Sequence, residues 1–161
     1  MQNMGNYENL EADFIERTLA LISQYEIHLH KYRFEEQYNY TLLINCLLGL
    51  IVLPKERIIS YLPNQTIFDN KLLSEMGIEY SRFNTDIKDF KSLIISLRHS
   101  IAHFHITIES VDDSFLIDNI VFMDVDKGIP YEIARFKSSE LLPFVRYYST
   151  WLLSNLYKYK K

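Results

Sequence analysis

The sequence predicts a mainly α-helical fold, a bundle of four to five helices with a small antiparallel β-meander inserted before the last helix. Three observations carry this expectation. Apolar residues recur at helical spacing along most of the chain. Glycine and proline are scarce, four of each in 161 residues, which disfavours a loop-rich or many-turned all-β fold. The apolar period then switches to alternation between about residues 104 and 136. Hydrophobic residues at 48% and charged residues at 24% are the balance of a folded chain, and the length suits one domain over residues 1–161.

The first helix is expected from about Asn6 to Tyr32. Leu10, Phe14, Leu21, Tyr25 and Leu29 form its stripe, widened by Ile15, Leu19 and Ile22. Glu8 and Glu11 suit its positive N-terminal end, and Lys31 and Arg33 its negative C-terminal end. A second, far more apolar helix runs from about Glu35 to Leu53, as a central element should. Pro54 can open a short third helix over 55–61, and Pro63-Asn64-Gln65 reads as a turn. A short helix from Asn70 to Met76 is stopped by Gly77. Thr85 is the expected N-cap of the next helix, with Asp86 and Asp89 in its first turn. Its apolar face is Ile87, Phe90, Leu93, Ile94, Leu97 and Ile101, ending near His103.

Three strands follow, at 104–109, 115–125 and 129–136, with turns at 111–114 and 126–128. Pro130, which has no N–H to donate, puts the third strand toward a sheet edge. Ser138-Ser139-Glu140 opens the last helix, whose Tyr147, Tyr148 and Trp151 read as core and interface packing.

Charge and cysteine content narrow the function. The net charge of −4 lacks the basic excess of a protein that coats DNA, although a small, locally basic phosphate site remains compatible with it. A single cysteine, Cys46, excludes an internal disulfide framework and a cysteine-built zinc cage, and its apolar setting makes it a small buried hydrophobe. The acidic stretch Met1–Glu16 does not read as a signal peptide. The apolar run Leu42–Leu53 is about half the length that spans a bilayer. Both features point to a soluble cytoplasmic protein with no membrane partner.

Chemistry concentrates in Arg98-His99-Ser100-Ile101-Ala102-His103-Phe104-His105, which holds three of the five histidines. Arginine offers a permanently charged fork for a phosphate, and histidine exchanges protons near neutral pH. The two are a workable set for metal-free RNA cleavage. His103 would act on the 2′-hydroxyl or the leaving oxygen, while Arg98 would stabilise charge growing on the phosphorus. On one helix their side chains diverge by about 140°, so a phosphate site closes better if the helix ends between them or if two copies face each other.

Arg98-x4-His103 at the end of an amphipathic helix resembles the Arg-x4–6-His signature of the HEPN superfamily. Together with Tyr40–Glu56 and Arg98–Ile106, the chain is similar to the HEPN group named after the pEK499 p136 protein, from about Phe14 through the last helix. The resemblance implies a HEPN-like bundle that dimerises through its motif helices. It also implies a metal-independent endoribonuclease site at that interface, often in toxin–antitoxin or phage-defence settings with an antitoxin partner. Carried over, Arg98 and His103 are the catalytic pair. His99 departs from the Asn or other polar residue common at its position, and His105 replaces the Tyr of one toxin subset, whose modification chemistry is therefore not carried over.

His99, His105 and Asn45 are supporting candidates. Asn45 interrupts an apolar run and, if buried, needs partners; capping a backbone group or supporting Arg98 across the bundle would supply them. His99 and His103 are spaced to face one metal, but no acidic partner stands at a convincing ligand spacing, so no metal or cofactor is assigned. Plainer readings stand beside these. Arg98 can serve as a helix C-terminal cation and His103 as a hydrogen-bonded helix end. Lys158–Lys161 can be a solvated tail or an RNA contact. The alternative to a nuclease is a non-catalytic module that binds RNA, a nucleotide or a partner protein through the same groove.

Overall fold

A computed structural model describes residues 7–52, 59, 62, 65–111 and 117–158. Among these the protein is mainly helical, with five α-helices and one four-stranded antiparallel sheet. All of the helix expected over 55–61 except Ile59, the Pro63-Asn64 turn, most of the 111–114 turn and the end of the lysine-rich tail lie outside the described residues.

Helix α1 (Leu10–His28) begins at Asn9, whose side chain accepts the N–H of Ala12 while Asp13 accepts the N–H of Asn9. The helix ends in a short 3₁₀ turn, Leu29–Lys31. Its buried line is Ala12, Ile15, Thr18 and Ile22, whereas Leu10 and Leu21 are exposed. The expected stripe was wider than its neighbours can cover, and packing against α2 and the last helix selects the line through Ile15 and Ile22.

Helix α2 (Asn39–Leu47) loosens into a π-helical turn at Leu48–Val52, where Leu50 and Ile51 are fully buried. Gly49 admits the Phe14 ring so closely that an added Cβ would stand 2.7 Å from its Cζ. Cys46 is buried, and burial raises its thiol pKa, as expected of a small core residue.

Helix α3 (Asn70–Glu75) ends at Gly77, whose φ of 71° lets the Gly77 and Ile78 N–H groups bond back to Ser74 and Leu73. Strand β1 (Arg82–Phe83) follows. Helix α4 (Phe90–Ala102) is capped by Asp89, which accepts the Ser92 N–H, rather than by Thr85. The reason is local. Asn84 accepts the Asp86 N–H, and Ile67 and Phe90 donate to Lys88 and Gln65, which holds 88–89 extended until α4 starts.

The meander consists of β2 (Ile106–Glu109), β3 (Asn119–Asp126) and β4 (Ile129–Lys137), in sheet order β1-β4-β3-β2. Strand β4 is therefore central, not an edge, where β1 pairs with Ala134 and Arg135. Among the described residues Pro130 pairs in the ladder with Val125 of β3, and β1 pairs only with Ala134 and Arg135, so no donor is needed from the proline on that other side. Strand β1 was not anticipated, because two residues are too few to show an alternating pattern.

The last helix, α5 (Ser138–Lys158), packs on α1, α2 and β4, and α4 lies between the π-turn and the β3–β4 face. One contiguous apolar core links these elements, with Phe90, Phe122, Phe136, Phe144 and Tyr148 among its fully buried side chains. No described helix is long and apolar enough to cross a membrane.

Candidate active site at the end of α4

The site is built by the way α4 stops. His103 is the C-cap, and the next residue, Phe104, takes the left-handed conformation at φ 55°. The Phe104 N–H bonds the Ile101 carbonyl and the His105 N–H bonds the Ser100 carbonyl, the same reversal that Gly77 makes after α3. Here, however, a bulky residue occupies the position that usually takes glycine. The reversed chain is then fastened. Ser100, fully buried, donates its hydroxyl to the His105 carbonyl at 2.9 Å, and the Met123 N–H of β3 donates to the same oxygen at 2.8 Å.

This turn gathers the three histidines. The His99 and His103 rings meet edge to face with centroids 4.5 Å apart, and His105 stacks on His103 at 5.7 Å. His99 and His103 are exposed and His105 is half-buried, its Nδ1 enclosed without a hydrogen-bond partner among the described residues.

Strands β3 and β4 supply a group that sequence reasoning missed. Asp124 Oδ2 lies 2.8 Å from His99 Nδ1 and accepts the Tyr131 hydroxyl at 3.3 Å, while Oδ1 accepts the Val125 N–H. Asp124 and Tyr131 are directly paired across the hairpin, just past a bulge in the ladder and three residues before its Lys127-Gly128 turn. Burial works to raise the Asp124 pKa, but hydrogen bonds from His99, Val125 and Tyr131 outweigh it and hold the carboxyl below the usual aspartate value. The Tyr131 phenol is pushed up, first by burial and then by Asp124. Nothing in the alternating strand marks Asp124 as special, since its partner lies on another element.

Arg98 precedes His99 on α4. It is half-buried, and its charge acts on the Tyr148 hydroxyl of α5, which is fully buried with no hydrogen-bond partner among the described residues. Burial raises that phenol strongly and Arg98 opposes the shift. The described residues show no ion pair tying Arg98 to a carboxylate. Within one chain, therefore, the three histidines converge, and the charge of Arg98 is felt at Tyr148 of α5. Asn45 is exposed on α2, so the burial that would have demanded partners for it does not occur. No described group of three or more His, Cys, Asp or Glu side chains is arranged to hold a metal ion.

Chemically, the arrangement offers exposed imidazoles that can exchange protons, one of them braced by a carboxylate, and on the same helix an arginine, the residue type suited to a phosphate. A family model, HEPN pEK499 p136, matches residues 4–158. Comparison with curated proteins and with solved structures found no match.

Proposed function

Given that the chain belongs to the HEPN pEK499 p136 family, we propose that it is a metal-independent endoribonuclease working as a homodimer. Arg98 and His103 are its catalytic pair. The observation that carries the reading is the end of α4, where both motif residues are present and His103 stands exposed at the cap within a three-histidine cluster. In the reaction the 2′-oxygen of the RNA attacks the adjacent phosphorus and the bond to the 5′-oxygen breaks. The histidines handle the two protons and Arg98 stabilises the added negative charge.

The same reading takes the helices as a HEPN-like bundle in a single domain, with the meander as an elaboration upon it. The homodimer is supported by the outer face of α4, where Ile95 is 49% exposed and lies one turn before His99. Pairing through this face would bring two sets of motif residues together and let one copy's Arg98 serve a phosphate held by the other's histidines. A toxin–antitoxin or phage-defence role in the cytoplasm, with an antitoxin protein as a further partner, extends the proposal.

The test is cleavage of a structured RNA in EDTA by wild type, Arg98→Ala and His103→Ala. Chelator-insensitive cleavage by wild type, lost in both variants, is the expected result; three equally inert proteins over a broad RNA panel would overturn the proposal. One observation favours the second reading, a non-catalytic module binding RNA, a nucleotide or a partner protein. Arg98 is half-buried and its charge is felt at the buried Tyr148 hydroxyl of α5.

A further inference from the structure

We propose that Asp124 is the positioning residue for His99 and that the pair makes His99 the proton acceptor of the site, with His103 the donor. The inference rests on the nuclease reading and deepens it, because it assigns the second proton-transfer group and a role for the meander.

The geometry carries the argument. A carboxylate oxygen 2.8 Å from His99 Nδ1 can only accept, so Nδ1 carries the hydrogen and the lone pair of the neutral ring is left on Nε2. The carboxylate is held by three donors, His99, Tyr131 and Val125, which restrain it from swinging away. Exposure is divided as such a pair requires. The His99 side chain is 55% exposed and that of Asp124 only 14%, so the ring reaches substrate while its brace is sheltered.

The charged and titratable surroundings are known from each element against the ring. On α4 and its cap they are His103 and His105, with Arg98 the preceding residue in the chain; on the sheet they are Asp124 and Tyr131, with Asp126 and Asp86 acting on Tyr131. The neighbouring His103 ring, 4.5 Å away, supplies the complementary group from the same chain.

The step balances. The proton of the 2′-hydroxyl passes to His99 Nε2 as the 2′-oxygen forms its bond to phosphorus. The bond from phosphorus to the 5′-oxygen breaks, and that oxygen takes a proton from protonated His103. The products are a 2′,3′-cyclic phosphate end and a 5′-hydroxyl end. Asp124 stays ionised throughout, fixing the ring and offsetting the imidazolium charge that forms.

The experiment joins two measurements on wild type and Asp124→Asn, whose similar shape keeps the fold; matching circular dichroism spectra verify this. Nitrogen-15 spectra of histidine-labelled protein read the tautomer of neutral His99, and a cleavage assay on a structured RNA reads the rate. The Nδ1–H form in wild type, its loss in Asp124→Asn, and a cleavage rate lower by about 100-fold or more support the proposal. An Nε2–H ring in wild type, or the same tautomer in both proteins, overturns it even if RNA is cleaved. A changed tautomer with an unchanged rate also overturns it. If wild type is inert although the tautomer responds as expected, the nuclease reading itself falls and takes the proton-acceptor assignment with it.

Discussion

His99 Nδ1 and Asp124 Oδ2 meet at 2.8 Å across 25 positions of sequence, and their contact fastens the tip of the β3–β4 hairpin to the last turn of α4. A helix end is ordinarily the part of a helix that frays first. Here the hairpin side chain, the Met123 N–H and the Ser100 hydroxyl all hold the residues around His103, so the cluster has a defined shape before any ligand arrives.

Acid should loosen this arrangement. Burial raises the pKa of both Asp124 and Glu140, yet hydrogen bonds outweigh it and leave each carboxyl below its ordinary value. A carboxyl depressed in the folded state contributes stability that is fully present above its unfolded value of about 4 and is lost as pH falls through the folded value. The melting temperature is expected to hold between about pH 5 and 7 and to fall below about pH 4. Asp124→Asn and Glu140→Gln should each make that fall shallower, as read by circular dichroism melts.

Glu140 is the more costly of the two to remove. Nearly buried at the start of α5, it accepts the N–H groups of Glu79, Tyr80 and Ser81 together with the Ser81 hydroxyl. Glu140→Ala strands three backbone donors and should cost about 3 kcal/mol in urea unfolding. Glu140→Gln keeps one acceptor oxygen and should cost roughly half as much.

Gly77 and Phe104 make the same left-handed reversal, at φ 71° and 55°, with opposite consequences for substitution. Gly77→Ala adds strain and sets a Cβ 2.5 Å from Pro143 Cβ, so a loss of about 2 kcal/mol is expected. Phe104 is 73% exposed, so Phe104→Gly removes little packing and relieves the strained backbone. It should leave stability unchanged or raise it by up to about 1 kcal/mol. Parallel denaturant titrations check both.

Arg98 is expected to matter as a fork rather than as a charge. Arg98→Lys keeps the cation beside α5 but loses bidentate phosphate contact, so cleavage should fall by about 100-fold while the melting temperature changes little. Equal rates in Arg98→Lys and wild type would show that a point charge suffices.

Much of the fold was legible because apolar spacing is a local signal. The long helices, Gly77 as a stop and the meander ahead of α5 all follow from residues within a turn or two of one another. The misplacements have tertiary causes. Thr85 has the chemistry of a cap, but backbone bonds from 65–67 keep the chain extended to Asp89. Leu10 and Leu21 are as apolar as Ile15 and Ile22, and only the packed neighbours determine which line is buried. Asn45 looked buried because its sequence neighbours are apolar, yet its turn of α2 directs it outward.

By itself the sequence determined a mainly helical, mildly acidic chain and singled out Arg98–His105 as the candidate site, since composition and local periodicity need no partner to be read. Only the tertiary structure decided that His99 is braced by Asp124, that His103 and His105 stack, and that the charge of Arg98 is felt at the buried Tyr148 hydroxyl. Those relationships arise where a reversal after α4 meets a hairpin tip some 25 residues away in the chain, and no short-range pattern records which side chains such a meeting will join.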